Sequence, residues 1–380
     1  MIESDLAAPS TATPLANLLL ESLALPHQLA AWRGVLTPQE LDAPEAETAA
    51  LLSSAAVHDL GWLKRVVVRG EDRFRWLSGM VTNTVNDLPP NGVAWNLVLN
   101  AQGRILGDLH VVREGDSLEL EIAADQYEKL VTHLEHFIIM DDVELATLEG
   151  ETALGLTGPL ADEVLARLGL PALDEPMTCA KVEWNGLDLR MVRGYGVLGP
   201  HYELWVPSAP RVLAKQWNSV RTAGAIPVGA ATLNAFRIAE GIPAYGVDMA
   251  ERDLPQETSQ TRALHFTKGC YLGQEIVERI HSRGSVHRHL RQLELTGPVA
   301  AAGTELTLDG SSVGNITSSA ELHLPGGIRT FALGMVSGAA ELRKLPLAYN
   351  AGGSTGTARL LAGPPNLTET EPERMEHTKS

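Results

Sequence analysis

A short segment in the last third of the chain contains residue types suited to thiol chemistry. It reads KGCYLGQE, starting at Lys268, and it holds one of only two cysteines in 380 residues. Apolar residues at helical spacing follow, so we expect Cys270 just before or within the first turn of a helix that ends near Gly284. Backbone N–H groups and the positive end of the helix dipole stabilise a thiolate there, and Lys268 adds a further positive charge.

The alternative interpretation is that Cys270 is a small buried hydrophobic residue, which is the commoner role of a free cysteine. Local sequence alone leaves both interpretations open. The other cysteine, Cys179, has no such context, and we predict that it is structural. Two cysteines this far apart form neither a disulfide framework nor a CxxC site, so we expect free thiols and no metal ligands.

A basic stretch, ERIHSRGSVHRHLR, directly follows the cysteine motif. It contains Arg279, Arg283, Arg288, Arg291, His281, His287 and His289. The whole chain is acidic, with 30 Lys and Arg against 47 Asp and Glu and a net charge of −17. Such a charge repels phosphates, so we expect no direct nucleic-acid binding, and the stretch is either a local contact for an anion or a solvated surface.

The elements that must position these segments form two similar α+β parts. Strands before and after a helix recur on both sides of residue 150, and one helix is predicted over APEAETAALLSSAAVHDLG with Gly61 as its stop. Short strands separated by Gly and Pro turns indicate a small β-barrel after Arg291. The predicted parts are a partly helical N-terminal extension (1–50), a first α+β part (51–150), a second α+β part ending in the cysteine motif (151–290), a β-barrel (291–363) and a disordered tail (364–380).

Composition indicates an ordinary globular protein. Apolar residues make up 44% and charged residues 20%, and the length allows two or three packed units. No window approaches 18 uninterrupted apolar residues, and Glu3 and Asp5 stand where a secretory signal has positive charge. We therefore expect a cytoplasmic protein without contact to a membrane.

The cysteine motif resembles the K-G-C-Y-x-G-Q-E signature of the YgfZ family of folate-binding proteins. These are relatives of the glycine cleavage T-protein, an aminomethyltransferase, and are implicated in making or maintaining iron–sulfur clusters. Further similarity runs from about Asp59 to Ala362 and leaves the first 50 residues outside. The segments that carry it are GEDRFRWLSGMVTNTVNDL, NAQGRILGDL, LTGPLADEVL, GYGVLGPHYELWVP and AFRIAEGIPAYGVDMAERDLPQE.

The resemblance implies a T-protein-like, three-part α+β fold with folate in a central channel. It implies that Tyr195, Glu203 and Arg237 contact the pterin or folate, and that Asp108 lies beside the cofactor. The candidate catalytic residues are then Cys270, Lys268 and Asp108, with Gly269, Tyr271, Gly273, Gln274 and Glu275 completing the motif. Without the resemblance, the residue types favour Glu203 as an exposed strand residue and Arg237 as a solvated helix residue.

Departures from the T-protein pattern favour the iron–sulfur function. The T-protein has two adjacent carboxylates where this chain has Gly107 and Asp108, and T-proteins lack the cysteine motif. In GEDRFRWLSGMVTNTVNDL, Thr84 stands where both families usually have Asp. A lost carboxylate weakens the case for aminomethyl transfer, which needs charge control beside the reacting folate nitrogen.

The leading hypothesis is a protein that binds tetrahydrofolate or a derivative and supports iron–sulfur cluster assembly or repair, with Cys270 as the functional thiol. Its partners would be assembly factors or client iron–sulfur enzymes, including those of tRNA modification. One alternative is a tetrahydrofolate-dependent aminomethyl or one-carbon transferase, in which Asp108 is essential and Cys270 dispensable. A second alternative is a folate-sensing module whose basic stretch recruits a partner.

Overall fold

The computed structural model describes residues 11–22, 28–284 and 286–368. Its longer helices are α1 (Pro14–Ser22), α2 (Pro44–Ser53), α3 (Arg73–Ser78), α4 (Ala124–His136), α5 (Ala161–Arg167), α6 (Pro210–Thr222), α7 (Ala230–Glu240), α8 (Gln274–Arg283) and α9 (Gly338–Arg343). Two 3₁₀ turns, Pro255–Thr258 and Thr261–Ala263, lie between α7 and α8. None of the helices in these ranges has the length and apolar character needed to cross a membrane.

The strands fall into a hairpin, two open sheets and a barrel. Those of the first half are β1 (Leu29–Trp32), β2 (Val35–Pro38), β3 (Ala56–Asp59), β4 (Leu63–Arg69), β5 (Val93–Leu99), β6 (Ile105–Glu114), β7 (Ser117–Ala123), β8 (Glu144–Leu148) and β9 (Glu151–Thr157). Those of the second half are β10 (Thr178–Trp184), β11 (Leu187–Arg193), β12 (His201–Pro207), β13 (Ile226–Pro227), β14 (Arg288–Thr296), β15 (Glu305–Leu308), β16 (Ser311–Leu324), β17 (Gly327–Ser337), β18 (Leu347–Ala351) and β19 (Ser354–Leu360).

The first sheet is antiparallel, with strand order β5-β6-β7-β4-β8. Short turns join β5 to β6 and β6 to β7, so the three strands form a meander of hairpins. Helix α4 buries Leu130 and Leu134 against this sheet, within a core that includes Val66, Val111 and Leu120. The helix therefore covers one face and leaves the other for a second layer.

The second sheet has strand order β10-β11-β12-β9-β3-β13 and includes a strand that the sequence did not indicate. Helix α2 ends at Ser53, and Ala56–Asp59 forms β3 between β9 and β13. The helix predicted to run on to Gly61 is therefore wrong. Pairing with two strands far along the chain decides this segment, and tertiary pairing of this kind overrides local helix propensity.

The third part is a closed barrel of strand order β14-β17-β16-β15-β18-β19. Helix α7 packs against β16 and β17, with Phe236 and Ile238 buried in a core shared with Phe331 and Leu333. Two α+β halves followed by a small β-barrel are the predicted fold class, which is confirmed.

Both ends of the described chain pack on the body. Leu15 and Leu19 of α1 are buried in the core of the second sheet, and Leu367 is buried against the core around α7. Leu367 belongs to the tail that we predicted to be disordered, and burial of its side chain does not fit that prediction. The rest of the tail, residues 369–380, lies outside the described residues.

Candidate functional site

A cavity of about 490 Å³ lies between the two open sheets. This volume falls in the range of about 300–1,000 Å³ that is typical of small-molecule pockets. Strand side chains alternate between faces, and residues two apart on three strands line the cavity: Asp108 and His110 on β6, Glu121 and Ala123 on β7, and His201 and Glu203 on β12. Four residues predicted from the resemblance line this one cavity, namely Asp108, Tyr195, Glu203 and Arg237.

Asp108 on β6 is held by hydrogen bonds to both oxygens. The Gln126 amide donates to Oδ1 and the Trp95 indole N–H donates to Oδ2, each at 2.9 Å. The backbone N–H of Asp108 in turn donates to Gln126 Oε1 at 2.9 Å. A Cβ atom on Gly107 would lie 2.5 Å from that same Oε1, so a second carboxylate beside Asp108 would require Gln126 to move.

Three histidines that the sequence did not indicate as site residues line the cavity. The Thr157 hydroxyl lies 3.0 Å from His58 Nε2 and 2.8 Å from His201 Nδ1, and His110 projects from β6 two residues after Asp108. Burial lowers the pKa of His58 well below its usual value, and lowers the pKa of His110 and of His201 to about 4. All three rings are therefore neutral at pH 7.

The signal for these histidines was present as an alternation. Asp108 and His110 are two residues apart on one strand, and so are His201 and Glu203 on another. Side chains two apart on a strand share a face. The repeated pair of a carboxylate and an imidazole indicates that each of the two strands has a polar face. Only the tertiary structure shows that these two faces line the same cavity.

Two buried carboxyls, Glu121 on β7 and Glu203 on β12, face the cavity from opposite sheets. Trp205 Nε1 donates to Glu203 Oε2 at 3.3 Å. Burial raises the pKa of Glu121 to about 7, and burial together with the charge of Glu121 raises the pKa of Glu203 well above its usual value. The interpretation of Glu203 as an exposed strand residue is wrong, since its side chain is buried.

An ion-pair network lies behind these carboxyls. Arg65 and Arg190 both bond to Glu119, Arg190 also bonds to Glu114, and Arg65 also bonds to Glu151. Burial opposes charge on Glu119, but the two arginines outweigh it and hold its pKa below the usual value. Both guanidinium groups therefore form ion pairs with carboxylates that do not line the cavity.

Arg237 is largely buried, with 13% of its side chain exposed, at the side of the cavity nearest the barrel. Its Nη1 donates to the Ile242 carbonyl at 3.0 Å and to Asp248 Oδ2 at 2.7 Å. Asp248 also accepts hydrogen bonds from Thr317 and Ser318 of β16, which join the barrel to this arginine. The interpretation of Arg237 as a solvated helix residue is wrong for the same reason as for Glu203.

The N-terminal hairpin completes the cavity wall. The sequence did not indicate that these residues contribute to the site. Trp32 and Arg33 line the cavity from β1 and its turn, and the Arg33 guanidinium lies 4.0 Å from Asp108. Arg33 Nη1 donates to the Tyr245 carbonyl at 2.9 Å. A segment assigned to an extension therefore contributes a cation to the site.

Tyr195 lies on an exposed loop at the rim of the cavity. The Arg262 guanidinium stands 3.8 Å from the centre of its ring and 4.7 Å from the centre of the Trp95 ring. Glu240 supports the same loop by accepting the backbone N–H groups of Val197 and Leu198 at 2.8 and 2.9 Å. One face of Tyr195 is thus covered by Arg262.

Several residues of the cavity lining have buried polar atoms without partners. Among the described residues, four buried atoms that lack a hydrogen-bond partner belong to residues of the lining: His58 Nδ1, Thr84 Oγ1, Glu121 Oε1 and Arg237 Nε. Buried polar groups are normally paired, because desolvation without a partner is costly. A polar ligand or ordered water would supply the missing bonds.

The cysteine motif lies outside the cavity lining and is anchored beneath it. Lys268 Nζ donates to the carbonyls of Val81 and Asn83 at 2.7 and 2.6 Å, and burial lowers its pKa to about 8. Tyr271 is buried, whereas Cys270 is exposed, as are Gly269 and Glu275. The structure thus brings Lys268 to the loop that carries the lining residue Asn83 and leaves the thiol of Cys270 facing solvent.

The motif ends at the start of α8. Gly273 is its N-cap, with φ of 82°, and a Cβ atom there would lie 2.6 Å from the Asn100 carbonyl oxygen. Gln274 begins the helix, and its Oε1 accepts the Tyr271 N–H at 3.3 Å. Cys270 therefore lies in the loop before the helix and not in its first turn, and Cys179 is buried in the second sheet.

Much of the basic stretch is engaged in internal contacts. Arg288 bonds to Asp253 and Glu257, while Arg291 and His289 both bond to Glu341. The His281 ring stacks on Phe266 with 3.9 Å between ring centres. These contacts leave less free positive charge than the sequence indicated. Within the described part of the chain, no group of three or more His, Cys, Asp or Glu side chains is arranged to hold a metal ion.

Comparisons with known proteins agree with this geometry. The model of the family described as "GCVT N-terminal domain" matches residues 24–268. An aminomethyltransferase of Nostoc is 24% identical over 83% of this chain and 85% of its own, and an aminomethyltransferase of Thermotoga maritima is 28% identical over 72% and 76%. The crystal structure of the glycine cleavage system aminomethyltransferase T from Bartonella henselae superposes with a TM-score of 0.82 at 21% identity, covering 93% of this chain and 97% of that one.

The fold likeness confirms the predicted T-protein-like, three-part architecture. The family match begins at residue 24, so the expectation that the first 50 residues fall outside the similarity is wrong. That match includes the hairpin whose Trp32 and Arg33 line the cavity.

Proposed function

From the premise that this chain belongs to the GCVT N-terminal domain family, we propose that it is a folate-binding protein of the YgfZ type. In this proposal it supports iron–sulfur cluster assembly or repair, and Cys270 is its functional thiol. The observation that carries the proposal is the division of the site into a buried polar cavity and a separate, exposed cysteine motif.

The cavity residues fit a reduced pterin. The pterin ring offers adjacent N–H donors and a carbonyl acceptor, and the cavity offers the Glu203 carboxyl together with unpartnered atoms of His58, Thr84 and Glu121. A carboxyl group accepts paired N–H groups well, and Arg237 supplies an Nε–H donor that no described residue uses. We therefore assign the ring to Glu203 and Arg237, with Tyr195 at the rim.

Bound tetrahydrofolate would supply a nitrogen that carries a one-carbon unit. The protein's own part is to bind and orient: Gln126 and Trp95 fix Asp108 as an acceptor, and Arg33 balances part of its charge. The apolar lining, which includes Leu60, Leu109 and Phe236, limits the entry of water.

The cysteine motif supports the assignment to the YgfZ type. An exposed thiol that is next to a rigid, buried anchor can meet a partner protein without disturbing the cavity. One thiol cannot hold a cluster alone, so Cys270 would act with ligands from an assembly factor, a client iron–sulfur enzyme or a second copy of the chain. The expectation of a cytoplasmic site of action belongs to the same proposal.

A folate-dependent aminomethyl transferase is the second candidate, because the named relatives are aminomethyltransferases and Asp108 lies in the cavity. Against it stands the single carboxylate at this point, where Gln126 and Leu130 fill the space around Gly107. In that case Asp108 would be essential and the thiol dispensable.

Complementation separates the two candidates. Cells that lack their own protein of this type would receive the wild-type chain, Cys270→Ala, Asp108→Asn or the matched control Cys179→Ala, and the activity of an iron–sulfur enzyme would be measured. We expect the wild type and Cys179→Ala to restore the activity and Cys270→Ala to restore less than about a tenth of it. Full rescue by Cys270→Ala, combined with none by Asp108→Asn, would favour the transferase instead.

Titration with tetrahydrofolate tests the premise that both candidates share. Trp32, Trp62 and Trp95 line the cavity, so ligand binding is expected to change the intrinsic fluorescence. If high micromolar tetrahydrofolate produces no binding signal by fluorescence or calorimetry, both candidates are wrong.

A further inference from the structure

Thr157 lies between two histidines of the cavity, His58 and His201, which the proposed function does not link. Its strand, β9, runs between β3 and β12, and Thr157 lies directly opposite His201 of β12 in the strand register. His58 of β3 lies opposite Gly155, which has no side chain and leaves space for the imidazole. Residues two apart on a strand share a face, so the Thr157 hydroxyl and both rings lie on the same face of this sheet.

The hydroxyl contacts both imidazole rings at hydrogen-bond distance. Thr157 Oγ1 lies 3.0 Å from His58 Nε2 and 2.8 Å from His201 Nδ1. The two rings are stacked, with 5.8 Å between their centres and 14° between their planes. Thr157 is buried, and within the described ranges its hydroxyl has no third hydrogen-bond partner. The hydroxyl proton therefore has only these two nitrogens as acceptors.

The number of protons limits how the three groups can bond. A hydroxyl has one proton, and a neutral imidazole carries its proton on one of its two nitrogens. If both ring nitrogens at the hydroxyl lacked a proton, one contact would have none. If both carried a proton, the hydroxyl proton would have no acceptor. Buried polar groups without partners are unfavourable, so one ring donates to Oγ1 and the other accepts from it.

The second nitrogen of His58 selects the direction of these two bonds. His58 Nδ1 is buried and has no partner among the residues that the structure describes. A proton on Nδ1 would leave a buried N–H donor unpaired, and such donors are rarer in proteins than unpaired acceptors. His58 therefore donates from Nε2 to Thr157, and Thr157 donates to Nδ1 of His201. This arrangement leaves the proton of His201 on Nε2, to which no described residue bonds.

We propose that Thr157 couples the tautomers of His58 and His201, so that the cavity offers a donor at His201 Nε2 and an acceptor at His58 Nδ1. The inference rests on the proposed folate binding for its ligand. His201 and Glu203 are two apart on β12 and share a face. With the adjacent N–H groups of the pterin on Glu203, the neighbouring His201 Nε2–H donates to the 4-oxo group. Thr157 is thus a positioning residue that favours a 4-oxo ring.

Nitrogen-15 NMR of the protein without ligand tests the tautomers directly. The full chain would be labelled in its histidines and studied at pH 7.5, and spectra of His58→Gln and His201→Gln would assign the two rings. We expect both rings to carry their proton on Nε2, and any other pair of tautomers would overturn the proposal. Thr157→Val should give mixed tautomers of His201, because the hydroxyl donor is lost, whereas Thr157→Ser should keep the wild-type pattern.

A matched pair of ligands tests the donor at His201. Tetrahydrofolate has a 4-oxo group, an acceptor, where tetrahydroaminopterin has a 4-amino group, a donor. The dissociation constants would be measured under argon by tryptophan fluorescence at pH 7.5. The wild type is expected to bind tetrahydrofolate at least about tenfold more tightly, because the amino group would face the Nε2–H and leave both donors unpaired. Thr157→Val should reduce this preference at least about threefold, and the conservative variant Thr157→Ser should keep it within about twofold.

The outcomes separate this inference from the proposed function. If Thr157→Val weakens both ligands equally and leaves the preference unchanged, the role of Thr157 is purely structural and the proposal is wrong. If the wild type does not bind tetrahydrofolate at all, the proposed function fails and so does the assigned ligand. The NMR measurement needs no ligand and would still decide whether the two tautomers are coupled.

Discussion

At the scale of single residues, the cavity depends on glycines, which leave space for the side chains of neighbouring cavity residues. Gly155 on β9 lies against His58, and a Cβ atom there would stand 1.9 Å from the imidazole Cε1. The ring of a cavity histidine therefore occupies space that only glycine leaves open. Gly107 leaves room for Gln126 in the same way.

The first prediction concerns that glycine. Gly155→Ala is expected to destabilise the protein by about 1–3 kcal/mol, because His58 must leave its position and lose its contact with Thr157. The measurement is urea unfolding followed by circular dichroism. Gly363→Ala, where a Cβ atom would meet nothing within 4 Å, is the control and should change stability by less than about 0.5 kcal/mol.

A double variant makes the cause specific. If the cost of Gly155→Ala comes from the imidazole, the same change in a His58→Ala background should cost clearly less. Equal costs in both backgrounds would mean that the strain lies in the backbone of β9 and not in the contact with the ring.

At the scale of elements, one buried acid links the cavity to the barrel. Asp248, in the loop after α7, accepts hydrogen bonds from Arg237 and from the backbone N–H of Ala244. It also accepts the hydroxyls of Thr317 and Ser318 on β16. A single carboxylate thus joins helix, loop and barrel.

Removal of the Asp248 carboxylate should weaken the contacts between helix α7, the loop that follows it and the barrel. Asp248→Ala leaves Arg237 buried without its ion-pair partner, which is expected to cost about 3–5 kcal/mol. Urea unfolding measures the loss, and limited proteolysis should cut faster between α7 and β14. Glu163→Ala breaks an exposed pair with Arg167 and should cost less than about 1 kcal/mol; a similar loss in both variants would contradict the linking role of Asp248.

At the scale of the whole molecule, two sheets enclose three neutral histidines between them, of which His58 is buried and His110 and His201 are half-buried. His58 and His201 come from the second sheet and His110 from the first. Each has a pKa in the folded protein below that of the unfolded chain, mainly because of burial. The unfolded state therefore binds more protons than the folded state from about pH 6.5 down to about pH 4.

The sign of the resulting pH dependence follows from this difference. When the unfolded state binds more protons, stability falls as pH falls, so acid should destabilise the protein across that window. Each histidine contributes about 1–2 kcal/mol between pH 7.5 and pH 5, the lower figure applying where the ring also meets cavity water. Urea unfolding of the wild type at both pH values measures the total.

A substitution isolates one contribution. His201→Gln retains a polar group near Thr157 but cannot take up the proton, so the loss between pH 7.5 and pH 5 should shrink by about 1–2 kcal/mol. Gly363→Ala, where a Cβ atom would meet nothing within 4 Å, adds no titratable group and serves as the control, since it should leave the acid-induced loss unchanged. An unchanged loss in His201→Gln would mean that this histidine is not buried neutral.

The sequence by itself determined the elements with strong periodicity and the motif chemistry. The alternation of apolar and polar residues on β7, the apolar face of α4 and the Gly-rich spacing of the barrel strands follow from local side-chain patterns. The resemblance of the motifs led to Asp108, Tyr195, Glu203 and Arg237, which the structure brings to one cavity.

Only the tertiary structure decided what depends on partners distant in the chain. Strand β3 forms because β9 and β13 pair with it, and Arg33 joins the site because the hairpin packs over the cavity. Burial, which no local pattern gives, raises the pKa of Glu121 and of Glu203 above the usual value for a carboxyl group. Charge in a protein depends on the surroundings of a group as much as on its type, and those surroundings exist only after both sheets have packed.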